Sequence, residues 1–272
     1  MANERFGNAL RKRPQRVPPV WMMRQAGRYH RHYRSLREKH SFMDLCKHPE
    51  LSAEVASGPI EDFDFDVAIL FSDLLFPLEA LGMGLEYGDS GPALGFSLDR
   101  ESIGKLVPVE TAIRGLEFQA EAVSRTRARI PDEKSLIGFV GGPWTLYVYA
   151  VEGGHSGSLV RAKSDPELYL EFSERIVPLL EKNVRLQLDA GAEIVMIFDT
   201  AAGELAPSEF RDWAARDLEL LFSKFPGRIG YYSKGTQPAH FSGGWLSRKD
   251  LAGFGVDHRW DLSAALRSPH SG

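Results

Sequence analysis

Four continuous apolar runs, each closed by a short polar segment, constrain the fold of this chain more than any other feature. They are DVAILF at 66–71 before Ser72 and Asp73, SLIGFV at 135–140 before Gly141 and Gly142, EIVMIF at 193–198 before Asp199 and Thr200, and RIGYY at 228–232 before Ser233 and Lys234. Unbroken runs of this length and β-branched content suit strands covered on both faces, as in parallel sheets. Helical patterns separate them. One has an apolar stripe through Ile113, Leu116 and Ala120; another opens at Ser164–Asp165–Pro166–Glu167 and extends to about Leu188. Shorter runs at 20–23 and 253–256 also read as strands, giving six candidates in all. The glycine-rich stretch 79–100 reads as a loop or small hairpin set apart from them. Strand, polar loop and helix in alternation give an α/β class. Polar groups gathered at the strand ends favour a distorted (β/α)8 barrel of the TIM type over a doubly wound sheet.

The segment PPVWMMRQAGRYHRHYRSLR, 18–37, places Arg24, Arg28, Arg31, Arg34 and Arg37 within twenty positions, interleaved with Trp21, Tyr29 and Tyr33. Arginine keeps its charge at any accessible pH, and its planar fork of donors fits carboxylates and phosphates. Five such charges repel one another, so an anion is expected nearby, either an acidic ligand or the protein's own Asp and Glu. The apolar run before Arg24 reads as a short buried strand, and Gly27 permits close backbone approach to a ligand. Tyr29, Tyr33 and Leu36 then fall at helical spacing, which puts Arg28, Arg31 and Arg34 off the apolar stripe. A solvated basic helix is the plainer alternative.

Composition narrows the function classes. The 272 residues are 43% hydrophobic and 26% charged, ordinary for a soluble globular protein. No apolar stretch approaches a membrane span, and the first residues lack the apolar core of a secretory signal. The single cysteine, Cys46, fits a reducing, cytoplasmic setting and excludes a thiolate-rich zinc site within one chain. The net charge of −4 conceals an asymmetry. Residues 1–48 hold 12 basic and 3 acidic side chains, and the remainder 21 and 34. Aromatic interleaving is too weak for a nucleic-acid surface. Residues 1–16 read as a mobile basic arm.

The motifs also bear a family resemblance. VWMMRQAGRY followed by YRSLR, FSDLL at 71–75, and GFVGGPWTL with the following YVYAVEGG resemble the uroporphyrinogen decarboxylase family over about residues 5–262. The resemblance implies a single barrel domain over 1–272. The family's GNLDP-type and GHG-type segments have no counterpart here, so the barrel is expected to be incomplete at its C-terminus. It further implies a cytoplasmic homodimer that removes carbon dioxide from the four acetate side chains of uroporphyrinogen III, giving coproporphyrinogen III, with no metal or organic cofactor and no membrane or nucleic-acid partner.

Carried over residue by residue, the resemblance makes Asp73 and Arg24 catalytic. Arg24, Gln25, Ala26, Gly27, Arg28, Arg37, Asp73, Tyr149 and Thr200 become substrate-binding. Thr200 stands where the family usually has serine, which keeps the hydroxyl. On position alone, Asp73 could equally cap the next turn and Tyr149 could be a core tyrosine. Two rival readings are a zinc and corrinoid methyltransferase of the same superfamily and a non-catalytic porphyrin- or polyanion-binding protein.

Overall fold

The computed structural model describes residues 2–267 apart from 89–90, 156–157, 243 and 246–247. Seven strands are present among them: β1 (Val67–Ile69), β2 (Glu86–Gly88), β3 (Gly91–Ala93), β4 (Ser135–Gly141), β5 (Ile194–Asp199), β6 (Ile229–Ser233) and β7 (Leu251–Gly255). The order β1-β4-β5-β6-β7 forms one five-stranded sheet, while β2 and β3 make a separate antiparallel hairpin within the glycine-rich excursion. β1 lies parallel to β4, with Val67 opposite Ser135 and Ile69 opposite Ile137, and β6 lies parallel to β7. All seven residues of β4 are buried, as an unbroken apolar strand requires.

The chain divides into two compact units, one of residues 1–73, 116–139 and 184–195, the other of 74–115, 140–183 and 196–272. In the first unit, helices α1 (Glu4–Leu10), α2 (Arg31–Arg37), α3 (Phe42–Lys47), α4 (Pro49–Phe63) and α5 (Glu117–Arg129) surround β1 and the first part of β4. Ser41 and Asp44 form a reciprocal capping box at the start of α3, and Pro49 occupies the first turn of α4, where its missing N–H costs nothing.

The sequence at 20–23 does not form the expected strand. Val20, Met22 and Met23 are exposed, and the backbone of Val20 meets only one residue: its N–H donates to the Asp66 carboxylate at 2.8 Å while its carbonyl accepts from the Asp66 N–H. Two prolines precede it, so a ladder has no donor to start from. The same Asp66, 6% exposed, accepts from the Asn3 side chain and pairs with Arg5 at 3.4 Å. Asn3 caps α1 and donates to the Ser135 hydroxyl. Within residues 1–16, the stretch expected to be a mobile arm, α1 is thus tied to the first unit through Asn3 and Arg5.

In the second unit, α6 (Pro143–Glu152) follows β4, and part of α7 (Pro166–Asp189) and α8 (Arg216–Lys224) belong to it. Its centre is aromatic. Trp144 is fully buried, with ring centroids of Tyr147, Tyr169 and Trp213 at 5.6, 5.5 and 5.3 Å.

Candidate active site

The arginine segment is fixed to the first unit by its uncharged members. Gln25 is 1% exposed; its amide N–H donates to the Val67 carbonyl on β1 at 3.0 Å and its oxygen accepts from the Met22 N–H. The Gln25 side chain thus holds the loop to β1. Ala26 packs on the buried cluster of Tyr33, Leu36, Leu45 and Val55. A Cβ at Gly27 would stand 3.0 Å from the Arg24 carbonyl, and Arg24 itself adopts φ +60°, a left-handed conformation uncommon for a residue with a side chain. Two histidines join α2 to α4. His30 meets the Asp62 carboxylate at 2.7 Å, and His32 meets the Glu54 carbonyl and lies over Gly58, where a Cβ would approach the ring to 2.4 Å.

This scaffold leaves the guanidinium groups of Arg24, Arg28, Arg31 and Arg37 on the exposed side. Arg34 donates to the carbonyls of Arg28 and Tyr29, and Arg37 to that of His40. Among the described residues, no carboxylate forms an ion pair with any of the five arginines. Of the two answers the sequence allowed for their charge, the protein's own acids do not supply it here.

Asp73 is half-buried, four residues beyond β1. The backbone leading to it is held from two helices: the Ser52 hydroxyl of α4 donates to the Phe71 carbonyl at 2.7 Å, and the Gln119 amide of α5 donates to the Ser72 hydroxyl at 2.8 Å. Cys46, buried in α3, reports on the charges around it. Its pKa is pushed well up, first by burial and then by the Asp73 carboxylate, while Arg37 and Lys47 pull the other way. Tyr33 is raised by burial and lowered by Arg37 and Arg28. Arg28, Arg37 and Asp73 thus act on two adjoining groups of the first unit.

In the second unit, Tyr149 is half-buried on α6, edge-on to His155 at 5.5 Å. Thr200 is half-buried in the turn after β5. Next to it is a group the sequence reading did not single out. Asp199 is completely buried, accepting from the Thr145 hydroxyl at 2.5 Å and the Tyr231 hydroxyl at 3.0 Å. Burial raises its pKa to about 6, against the opposing effect of those two hydroxyls. A carboxyl group raised in the fold contributes stability that is full below its ordinary pKa near 4 and is lost as pH rises through 6. Two units amount to roughly 3 kcal/mol. Thermal melts are expected to show an acid-side gain between pH 6 and 4.5 that Asp199→Asn removes. The Gly141–Gly142 turn also finds its reason here, since a Cβ on Gly142 would stand 2.5 Å from the Asp199 carboxyl carbon.

A family model described as "Uroporphyrinogen decarboxylase (URO-D)" matches residues 1–271. This chain belongs to the uroporphyrinogen decarboxylase family. A uroporphyrinogen decarboxylase of Myxococcus xanthus is 41% identical over 230 residues, covering 82% of this chain and 65% of that protein. One of Solibacter usitatus is 35% identical over 273 residues, covering 96% and 77%. The chain thus spans about two thirds to three quarters of the length of these relatives. Among solved structures, a methyltransferase from Methanosarcina mazei superposes with a TM-score of 0.70 at 18% identity, over 93% of this chain and 75% of that one. At that identity the likeness concerns the fold, and with the family it gives the TIM-barrel type of α/β architecture that the strand–loop–helix order implied. Among the described residues no helix is long and apolar enough to cross a membrane.

The family motifs lead to the segments that carry Arg24, Arg28, Asp73 and Tyr149, the last of these on α6. They do not mark Asp66, Gln119, Asp199 and Tyr231, which hold those segments; Thr145 lies within a motif, but nothing there gives it a role. The available signal was position, since Asp199 closes an apolar run just as Asp73 follows one.

Proposed function

We propose that this chain acts on uroporphyrinogen III in haem and porphyrin biosynthesis, as a carboxy-lyase that converts the four acetate side chains to methyl groups and yields coproporphyrinogen III. The substrate carries eight carboxylates and four pyrrole N–H groups. In this reading Arg24, Arg28 and Arg37 take up carboxylates as paired, charge-assisted hydrogen bonds. Asp73 accepts from the pyrrole N–H groups at the centre of the macrocycle. A pyrrole ring is protonated, the bond between the acetate methylene and its carboxylate breaks, and the electron pair enters the cationic ring as carbon dioxide leaves. The methylene then takes a proton and the ring gives one up. The ring is its own electron sink, so the step asks for no cofactor, and a fixed carboxylate opposes the positive charge that develops. Arg24 orients the reacting acetate. Tyr149 and Thr200 are substrate contacts on the family resemblance alone, as are Gln25, Ala26 and Gly27.

The observation that carries the reading is the convergence of charge on the first unit's buried core. Asp73 and Arg37 both act on Cys46, and Arg28 and Arg37 both act on Tyr33. Cys46 gives no support to a zinc and corrinoid methyltransferase: it is the single cysteine, and it lies buried in α3 rather than at a strand end. The family suggests a homodimer in the cytoplasm, which light scattering checks as twice the chain mass.

The deciding assay supplies chemically reduced uroporphyrin to the purified chain without oxygen and follows coproporphyrin by fluorescence after oxidation. Product is expected. Arg28→Gln and Arg37→Gln should each raise KM by about tenfold or more, the cost of roughly 1.5–3 kcal/mol for one charged hydrogen bond. Tight porphyrin binding with no carbon dioxide released would select a binding protein instead.

A further inference from the structure

Asp199 is a fully buried acid with no part in the chemistry above, yet it lies at the meeting point of a chain of buried hydroxyls. On one side the Thr145 hydroxyl donates to Asp199 and accepts, at 3.0 Å, the N–H of Ala201, the residue after Thr200. On the other side the Tyr231 hydroxyl donates to the second carboxylate oxygen, and two residues further along β6 the Ser233 hydroxyl lies 2.6 Å from that of Thr236. Thr145, Asp199, Tyr231, Ser233 and Thr236 are each no more than 1% exposed. The backbone repeats the tie: Lys234 N–H reaches the Asp199 carbonyl, and Gly203 N–H the Lys234 carbonyl.

Counting protons fixes the direction of this chain. Thr145 already accepts from Ala201, so its own proton has Asp199 to go to. The Tyr231 hydroxyl also gives its proton to Asp199. An ionised carboxylate accepts both; a neutral one brings a donor that has no acceptor. The charged form is therefore the one in which every group is satisfied, although burial penalises it. A buried charge kept against its own desolvation penalty points to a role other than stability.

We propose that Asp199 is a positioning residue: through the Thr145 hydroxyl it fixes the turn that presents Thr200 to substrate, and through Tyr231 it ties that turn to the loop at Ser233–Thr236. The link to substrate rests on the decarboxylase reading; the fixing of the turn does not. Other ionisable groups face this cluster. Tyr169 lies within electrostatic reach of Asp199 and hydrogen-bonds Asp217, whose own acidity is weakened by burial, and Tyr147 acts on Tyr169. Asp217→Asn is therefore the control for any pH effect.

The test compares Thr145→Val, Thr145→Ser and Asp199→Asn with the parent chain. Hydrogen exchange of the 199–203 backbone should quicken at least tenfold in Thr145→Val and stay within threefold in Thr145→Ser, which restores the hydroxyl. Unchanged exchange in Thr145→Val overturns the proposal, whatever the activity. In the decarboxylation assay, Thr145→Val should lose about tenfold or more in kcat/KM, chiefly through KM. The parent's kcat/KM should fall as pH drops through 6, Asp199→Asn should be low and flat across that range, and Asp217→Asn should keep the parent's profile. A parent profile that survives in Asp199→Asn also overturns the proposal. A parent chain that makes no product ends the decarboxylase reading and leaves the exchange measurement to decide the rest.

Discussion

Asp73→Asn is expected to fold like the parent and to lose at least two orders of magnitude in turnover. The substitution keeps the shape of the side chain and removes its charge. Its backbone is held by groups other than its own side chain, Ser52 on Phe71 and Gln119 on Ser72. What changes is the field at the ring that becomes cationic. Removing one fixed electrostatic stabiliser of a developing charge costs about 2.7–4 kcal/mol, a factor of about 100 to 1,000. KM should change little, since the amide oxygen still accepts from pyrrole N–H groups while the guanidinium contacts persist. Asp73→Glu keeps the charge and displaces it by about one bond, and misplacement on that scale also costs about a hundredfold. The two variants together separate charge from geometry. Coproporphyrin formation measured under saturating substrate checks both, and turnover of Asp73→Asn within threefold of the parent would remove Asp73 from the chemistry.

The sequence shows the sheet well because four of its apolar runs are largely buried, while the fifth, at β7, is only part-buried. Runs at 66–71, 135–140, 193–198, 228–232 and 253–256 all contain strands, and the sheet keeps them in chain order. The run at 20–23 looks the same to a hydropathy reading and is not a strand, because the decisive fact is a distant one: Asp66 takes both backbone groups of Val20. The basic N-terminus misled for the same reason. Asn3 and Arg5 are tethered by a carboxylate some sixty residues away, which no local pattern announces. At the candidate site, residue type and loop position located Asp73 and the arginines, but Gln25 turned out to be the peg of its loop rather than a free side chain. Asp199 was visible only as an acid ending a strand. Its hydrogen bonds to Thr145 and Tyr231 join positions 54 and 32 residues apart.

The largest stability loss is expected from Trp144→Ala. The indole is fully buried among three aromatic rings with centroids within 5.6 Å, and its N–H donates to the Ala201 carbonyl at 3.2 Å. Truncating such a side chain costs about 3–5 kcal/mol in lost transfer energy and cavity. Against a typical total of about 5–15 kcal/mol, that leaves the chain marginal at 37 °C. Trp144→Phe retains most of the packing and removes one hydrogen bond, while the Ala201 carbonyl keeps the Glu204 N–H at 3.1 Å, so its cost should be about 1 kcal/mol. The comparison bears on function because Ala201 is held at both of its backbone groups, the carbonyl by Trp144 and the N–H by Thr145, and Thr200 precedes it directly. Two neighbouring anchors on one residue should not act independently. Once Thr145→Val has freed the N–H, the turn is already loose, and adding Trp144→Phe should cost less in KM than it does alone. Denaturation midpoints and KM for the two single variants and the double variant supply that cycle. Strict additivity in both would mean that the turn carrying Thr200 is held by something other than these two side chains.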